Sequence, residues 1–191
     1  ILTTVPMAFT GVVCGLLLAT AATQAKVRIV SERTEDKTAT SKFKFKNIPS
    51  PSRTDAAAGA SFSIIDSPRD PNGAGTRVLH DGKVPDNNDR PTANFFFAQG
   101  AKGGRIMVDL GKPTAVRQVN TYSWHRSSRG PQVYRLYTAE NSSKGAKDVA
   151  LEKAGWKLIA SVDTRPQSGR PGGQYGVSQP YSTGGASGTS R

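Results

Sequence analysis

Two apolar runs separated by a turn occupy residues 106–119, which read IMVDLGKPTAVRQV. Residues 104–111 alternate apolar and polar side chains, which is the period of a strand with one buried face. The run ends in a Gly-Lys-Pro turn at 111–113, and residues 116–124, VRQVNTYSW, then alternate again. Because a turn connects the two runs, the sequence predicts two consecutive strands here.

Five further segments with strand-like patterns flank this pair. They lie at residues 43–46, 61–66, 94–98, 132–139 and 156–162. Gly, Pro, Asn and Asp turns separate them, and the one helical pattern, at 144–154, is weak. No long unit repeats along the chain. Short strands with frequent turns predict an all-β fold, either an antiparallel β-sandwich or a jelly roll.

The composition narrows the function classes. The chain has 191 residues, with Lys+Arg 26 and Asp+Glu 14, so its formal net charge is +12. One cysteine excludes a disulfide framework, and two histidines leave little room for His-based metal or acid–base chemistry. The sequence contains none of the patterns G-x-S-x-G, G-x-G-x-x-G or H-E-x-x-H. We therefore expect no catalytic activity.

Residues 1–25 contain no charged residue, and residues 12–22 are an apolar run. Small Thr23 and Ala25 precede Lys26, which is the pattern of a secretory signal peptide and its cleavage site. The alternative is an uncleaved anchor, although a spanning helix needs about 20 mostly apolar residues. We expect a secreted protein, extracellular or in the cell envelope, with no stable membrane insertion after cleavage.

Three segments follow the predicted signal peptide. Residues 26–42 alternate charged and small polar side chains, which predicts a flexible lead-in. Residues 43–167 hold the predicted strands and form the expected domain. Residues 168–191 are rich in Gly and Ser, which is typical of a disordered tail or of a surface loop cut before the strand it should enter.

The region from 43 to 162 resembles the coagulation factor 5/8 type C, or discoidin, domain, in the secreted versions common in planctomycete-like bacteria. The resemblance centres on IMVDLGKPTAVRQV, where the family has an apolar strand, Asp-Leu-Gly, a turn and a second apolar strand. RGPQVYRLYTA (129–139) matches the strand that leads to the family's Trp segment, here GWKLIA (155–160). Asp81-Gly82 stands where the family has its Asp-Gly loop.

This resemblance implies a galactose-binding-like sandwich that binds sugars without catalysis, through loops at one end. The family's paired terminal cysteines are absent here, and its last strands are not visible in the sequence. We therefore expect that the chain is cut before its final strand, and that other domains of a larger protein are among its partners.

The loop at 123–130, SWHRSSRG, is the candidate ligand site. Trp124 offers a flat face for a sugar ring, Arg126 and Arg129 offer forked donors, and His125 can donate or accept a hydrogen bond. An aromatic floor with convergent polar groups suits a small polar ligand. The alternative is that Trp124 belongs to the core and Arg129 only braces the turn before Pro131.

An acidic loop at 81–92 is the second candidate site. Its side chains carry oxygen atoms of the kind that coordinate calcium, which binds six to eight of them. They are Asp81, Asp86, Asn88, Asp89 and Thr92. Carbohydrate-binding relatives of the discoidin family commonly hold a structural calcium in the corresponding loop. The spacing is not that of an EF-hand, and Asp/Asn-rich segments also form ordinary turns.

These observations together predict a secreted, non-catalytic module that recognises carbohydrate or another cell-surface polymer. The positive charge favours an anionic extracellular polymer over a neutral one. Nucleic acid is not expected, because the cations are spread along the chain and no nucleic-acid-binding motif occurs. The alternative is a structural or adhesion domain of a larger exported protein that mediates protein–protein contact.

Overall fold

The computed structural model describes residues 26–140, 147 and 150–182. The described chain is all-β, with antiparallel strand pairs and short 3₁₀ turns. The strands are β1 (Lys26–Val27), β2 (Val30–Glu35), β3 (Ser61–Asp66), β4 (Arg105–Asp109), β5 (Gln118–His125), β6 (Val133–Thr138), β7 (Lys157–Asp163) and β8 (Gly173–Ser182). The 3₁₀ turns lie at Asp36–Thr38, Ala56–Gly59, Thr76–Leu79 and Pro91–Ala93. Within these ranges, no helix is long and apolar enough to cross a bilayer.

Strand β8 is the centre of the largest sheet. One of its edges pairs with β1 and β2, and the other pairs with β5 along eight residues, from Gln118↔Pro180 to His125↔Gly173. Strands β3 and β4 form a separate antiparallel pair, as do β6 and β7.

The central sheet has one face that carries Trp124, and we call it the Trp124 face. Trp124 pairs with Gln174, and Tyr122 pairs with Gly176, so these four residues share that face because cross-strand partners point the same way. Phe43 covers it, with ring centroids 6.0 Å from Trp124 and 6.3 Å from Tyr122. Residues of the segment after β2 therefore form the lid of this face.

The opposite face carries Tyr175, and we call it the Tyr175 face. Strand β6 contacts it through Tyr134, whose hydroxyl lies 2.9 Å from the hydroxyl of Thr121. Gln132 donates from Nε2 to the carbonyl oxygens of Thr121 and Tyr175, at 3.2 and 3.3 Å. Gln179 also donates to the Tyr134 hydroxyl. Polar side chains buried between these strands thus bond one another, as is usual in a low-dielectric interior, although Gln179 Oε1 has no hydrogen-bond partner among the described residues.

Five of the seven predicted strands are confirmed. They are the segments at 61–66, 104–111, 116–124, 132–139 and 156–162, which coincide with β3 to β7 to within two residues at each end. Residues 43–46 are not a strand, because Phe43 has φ +46° and the N–H of Lys46 donates to the Glu32 side chain instead of to a neighbouring strand. Residues 94–98 form a single bridge, Arg69↔Phe97, and their side chains are half-exposed rather than buried.

Two segments expected to lack strands contain them. Residues 26–42, expected as a flexible lead-in, hold β1 and β2, and residues 168–191, expected as a tail or cut loop, hold β8. The physical reason is pairing and burial, because β8 is hydrogen-bonded along both edges and its residues 173–179 are buried. The helical candidate at 144–154 lies partly outside the described residues, and residues 151–155 form turns.

Candidate functional site

The two loops singled out in the sequence meet at one end of the central sheet. The backbone N–H of Arg126 donates to the carbonyl oxygen of Asn88 at 3.2 Å. The Arg126 guanidinium also forms an ion pair with Asp89, with an N–O distance of 3.0 Å. Loop 123–130 is thus joined to the acidic loop through both backbone and side chain.

Asp36, in the 3₁₀ turn after β2, forms hydrogen bonds with residues of both loops. Its Oδ1 accepts from the indole Nε1 of Trp124 at 3.2 Å, and the Asn88 amide Nδ2 lies 2.9 Å from both carboxylate oxygens. No ion pair of Asp36 occurs within the described residues. The carboxylate is held by neutral donors, so it acts as a structural acceptor at the base of the site.

Gly172, which directly precedes β8, brings a fourth segment against the same loop. A Cβ built on Gly172 would stand 2.2 Å from the carbonyl oxygen of Arg126, far inside van der Waals contact. Arg33 of β2 donates to the Gly172 carbonyl oxygen at 2.9 Å and to that of Arg170. The backbone of residues 170–172 is therefore fixed directly beside Arg126.

Trp124 does not offer the exposed ring expected of a stacking platform. The residue is 8% exposed, its indole N–H is bonded to Asp36, and Phe43 covers its ring. The expectation of an exposed face is wrong, because Trp124 lies on a sheet face that the segment after β2 closes. The alternative interpretation, in which Trp124 is a core residue, is confirmed.

His125 is also buried, at 6% exposed, on the Tyr175 face. Its Nδ1 accepts from the backbone N–H of Ser127 at 3.0 Å, so the neutral ring carries its proton on Nε2. That Nε2 has no hydrogen-bond partner among the described residues. Burial, and then the nearby Arg129 guanidinium, lowers the pKa of His125, while Asp89 acts in the opposite direction. His125 is thus neutral at pH 7 and is not exposed to a ligand.

Arg126 and Arg129 remain exposed above these buried residues. The side chain of Arg126 is 63% exposed beside Asp89, and the Arg129 guanidinium lies over the ring of Phe96, 5.6 Å from its centroid. Between them, Ser127 and Ser128 are also exposed. The loop therefore presents two cations and the Ser128 hydroxyl to solvent on a backbone fixed at its base, while the Ser127 hydroxyl lies 3.0 Å from Nδ1 of His125.

The side chains named for calcium are engaged with different protein groups. Asp81 Oδ1 accepts from the N–H of Lys83 at 2.9 Å, and Asp86 pairs with Arg90 at 2.9 Å. Asn88 and Asp89 are bonded as described above, and Thr92 is exposed. In the part of the chain that the structure describes, no group of three or more His, Cys, Asp or Glu side chains is placed to hold a metal ion.

Sequence reasoning missed Asp36 and Phe96 as parts of this end of the molecule. The sequence predicts a flexible lead-in around Asp36 and a strand around Phe96. Neither position carries a local signal, because each joins the site through a contact distant in sequence, 88 residues away for Asp36 and Trp124.

The comparisons with known proteins found no relative. No protein-family model, curated protein or solved structure matches this chain.

Proposed function

We propose that this protein is a secreted, non-catalytic binding module that recognises carbohydrate, or another polymer of a cell surface, through residues 126–129. The observation that carries the proposal is the exposure of Arg126 and Arg129 on a loop whose base is fixed by Asp36, Asn88 and Gly172. A rigid scaffold that presents exposed polar side chains on a loop is the usual placement of a binding site.

The chemistry of the loop favours an anionic ligand. Guanidinium groups present several N–H donors in a plane, which suits carboxylate and sulfate groups as well as sugar hydroxyls. The ion pair between Arg126 and Asp89 is exposed, so it contributes little stability and a ligand anion can replace it. With Trp124 buried, recognition rests on hydrogen bonds and charge rather than on stacking by that ring.

The fold that accompanies this proposal is a discoidin-like β-sandwich. The contacts of Tyr134 and Gln132 with the Tyr175 face support two layers, with β6 and β7 over the central sheet. Export is supported by the apolar run and small residues at 12–25, which lie outside the described residues. The scarcity of catalytic residue types supports a binding role without chemistry.

Binding to a glycan array with neutral, carboxylated and sulfated saccharides tests the proposal. The variant Arg126→Ala/Arg129→Ala should lose binding while keeping its melting temperature. Its matched control is Arg117→Ala/Arg135→Ala, which removes the same charge from exposed positions just before β5 and on β6. Binding that survives in the loop variant, or falls equally in the control, would place recognition elsewhere.

A second candidate function is protein–protein contact through β3 and β4. Ile64 is 38% exposed and Val108 44% exposed, and both lie on one face of this pair with Phe62 and Ile106. This supports the adhesion alternative. A blank glycan array, together with a protein partner that Ile64→Ser/Val108→Ser no longer binds, would favour it over carbohydrate recognition.

A further inference from the structure

A second cationic patch lies on the Trp124 face. It is separate from loop 123–130, which we call the Arg126 loop. Lys42, Lys44 and Lys46 are all exposed, whereas Phe43 and Ile48 between and after them are 3% and 4% exposed. None of the three lysines forms an ion pair with a described residue. All three side chains are exposed to solvent, and of the three the charge of Lys46 acts on the nearby Glu32 carboxylate.

The backbone beneath these lysines is fixed in place. The Glu32 carboxylate accepts the N–H groups of Lys46 at 2.8 Å and Asn47 at 2.6 Å. Partial burial acts to raise the pKa of Glu32, but these hydrogen bonds outweigh it, and the pKa lies below its ordinary value. The Tyr122 hydroxyl donates to the carbonyl oxygen of Pro49, and the Phe43 ring is buried. The segment is preorganised, which reduces the entropy cost of binding.

Part of this segment borders a shallow groove of about 410 Å³ that is largely open to solvent. It is lined by Lys44, Phe45, Lys46, Asn47, Ile48, Pro49 and Ser50. Phe45 is half-buried and packs over Gly176, where a Cβ would stand 2.6 Å from the ring carbon Cε2. The groove therefore combines one aromatic ring with two lysines and the polar side chains of Asn47 and Ser50.

We propose that this groove is a second binding site, for the sugar units of an anionic polysaccharide. Phe45 provides the apolar floor for a sugar ring, Lys44 and Lys46 bind its carboxylate or sulfate groups, and Asn47 and Ser50 can bond hydroxyls. The inference rests on the proposed carbohydrate-binding function for the class of its ligand. It adds a site that the Arg126 loop does not include.

The position of the groove favours a polymer over a single sugar. On β8, Gly176 beneath Phe45 lies two residues from Gln174, the partner of Trp124, which is about 7 Å along the strand. The Arg126 loop lies beyond Trp124 at the end of the same sheet. One extended polyanion can contact both the groove and the Arg126 loop, and two linked contacts raise the apparent affinity.

The test uses dextran sulfate and uncharged dextran of equal length as probes. We expect Lys42→Ala/Lys44→Ala/Lys46→Ala to weaken dextran sulfate binding about tenfold. A change of that size corresponds to the free energy that three exposed ion pairs contribute together. The matched control, Lys83→Ala/Lys112→Ala/Lys157→Ala, removes three exposed lysines elsewhere and should weaken it much less. Melting temperatures of both variants verify that they are folded.

The arginine variant distinguishes this inference from the proposed function. Loss of binding in Arg126→Ala/Arg129→Ala but not in the lysine variant overturns the proposal for the groove and supports the proposal for the loop. Loss in the lysine variant alone supports the groove and overturns the loop. Equal losses in the lysine variant and its control overturn the groove, because they show that net charge alone governs binding.

Two further measurements test the ligand class. Phe45→Leu keeps apolar volume over Gly176 but removes the aromatic ring, and it should weaken dextran sulfate binding in a protein that remains folded. Unchanged affinity in this variant overturns the role of Phe45 as the floor. Equal binding of uncharged dextran, or tighter binding of single-stranded DNA that depends on the same lysines, overturns the assignment to an anionic polysaccharide.

Discussion

The indole Nε1 of Trp124 donates to the Asp36 carboxylate at 3.2 Å, joining strand β5 to the turn that follows β2. The same carboxylate accepts from Asn88, so one acidic side chain organises three segments. Trp124 therefore helps to fix the base of the loop that carries Arg126, the loop for which we propose a binding role.

Replacing Trp124 should reduce stability rather than remove a ligand contact. Trp124→Ala should lower the free energy of unfolding by about 3–5 kcal/mol, because a large buried side chain is deleted. Trp124→Phe keeps most of the ring but loses the indole N–H, and should cost about 1 kcal/mol. Urea unfolding measures both. A Trp124→Ala protein as stable as the wild type would show that the ring is not core.

Gly172 should tolerate no side chain. Gly172→Ala places a Cβ against the Arg126 carbonyl oxygen, so the loop or the start of β8 must move, at a cost of about 1–3 kcal/mol. Gly59→Ala is the matched control, because a Cβ there meets nothing within 4 Å, and it should change stability by less than about 0.5 kcal/mol. Similar melting temperatures for the two variants would contradict this packing.

The alternating strands were predictable because their pattern reports two different environments. In β6, for example, Tyr134 faces the sheet while Val133 and Arg135 are exposed. Strand β8 lacks that contrast, since Gln174, Ser178 and Gln179 are each 2% exposed. Its glycines and serines have the composition of a linker, and its burial is decided by distant neighbours.

For the candidate site, the sequence identified the two loops but not the contacts that join them. Arg126 and Arg129 are exposed, as a binding loop requires. The junction of Arg126 with Asn88 and Asp89 joins two segments that local patterns treat independently. Trp124 was ambiguous because an alternating strand gives the same pattern whether its apolar face is covered or open.

Calcium binding by the acidic loop stays a prediction from its oxygen-rich sequence. Because Asp86 and Asp89 pair with arginines, calcium would have to displace those arginines, so we expect binding in the millimolar range only. A ligand that binds the folded state raises the melting temperature. Calcium should therefore raise the melting temperature, and a chelator should reverse that rise. The variant Asp86→Asn/Asp89→Asn should show no rise. An unchanged melting temperature in the wild type would refute the prediction.

His125 should make stability depend on pH. Its pKa is lowered in the fold by burial and by Arg129, with Arg126 adding to this effect and Asp89 opposing it. The unfolded chain therefore takes up a proton more readily than the folded one. The stability due to neutral His125 is complete above its ordinary value of 6.5 and is lost as the pH falls toward the lowered pKa.

The variant His125→Asn isolates this effect. An Asn Oδ1 can accept the N–H of Ser127 in place of the imidazole Nδ1, but it does not titrate. We expect the difference in unfolding free energy between wild type and variant to be constant above pH 7. It should shift in favour of the variant as the pH falls from 6.5 to 5. In that range the unfolded wild type gains a proton at His125 that the buried imidazole of the folded state does not take up, whereas the variant has no such group. Urea titrations at four pH values measure the difference, and the other titrating groups are common to both proteins. A difference that stays constant down to pH 5 would show that His125 titrates alike in the folded and unfolded chain, and that its ring is reached by solvent beneath the Arg126 loop.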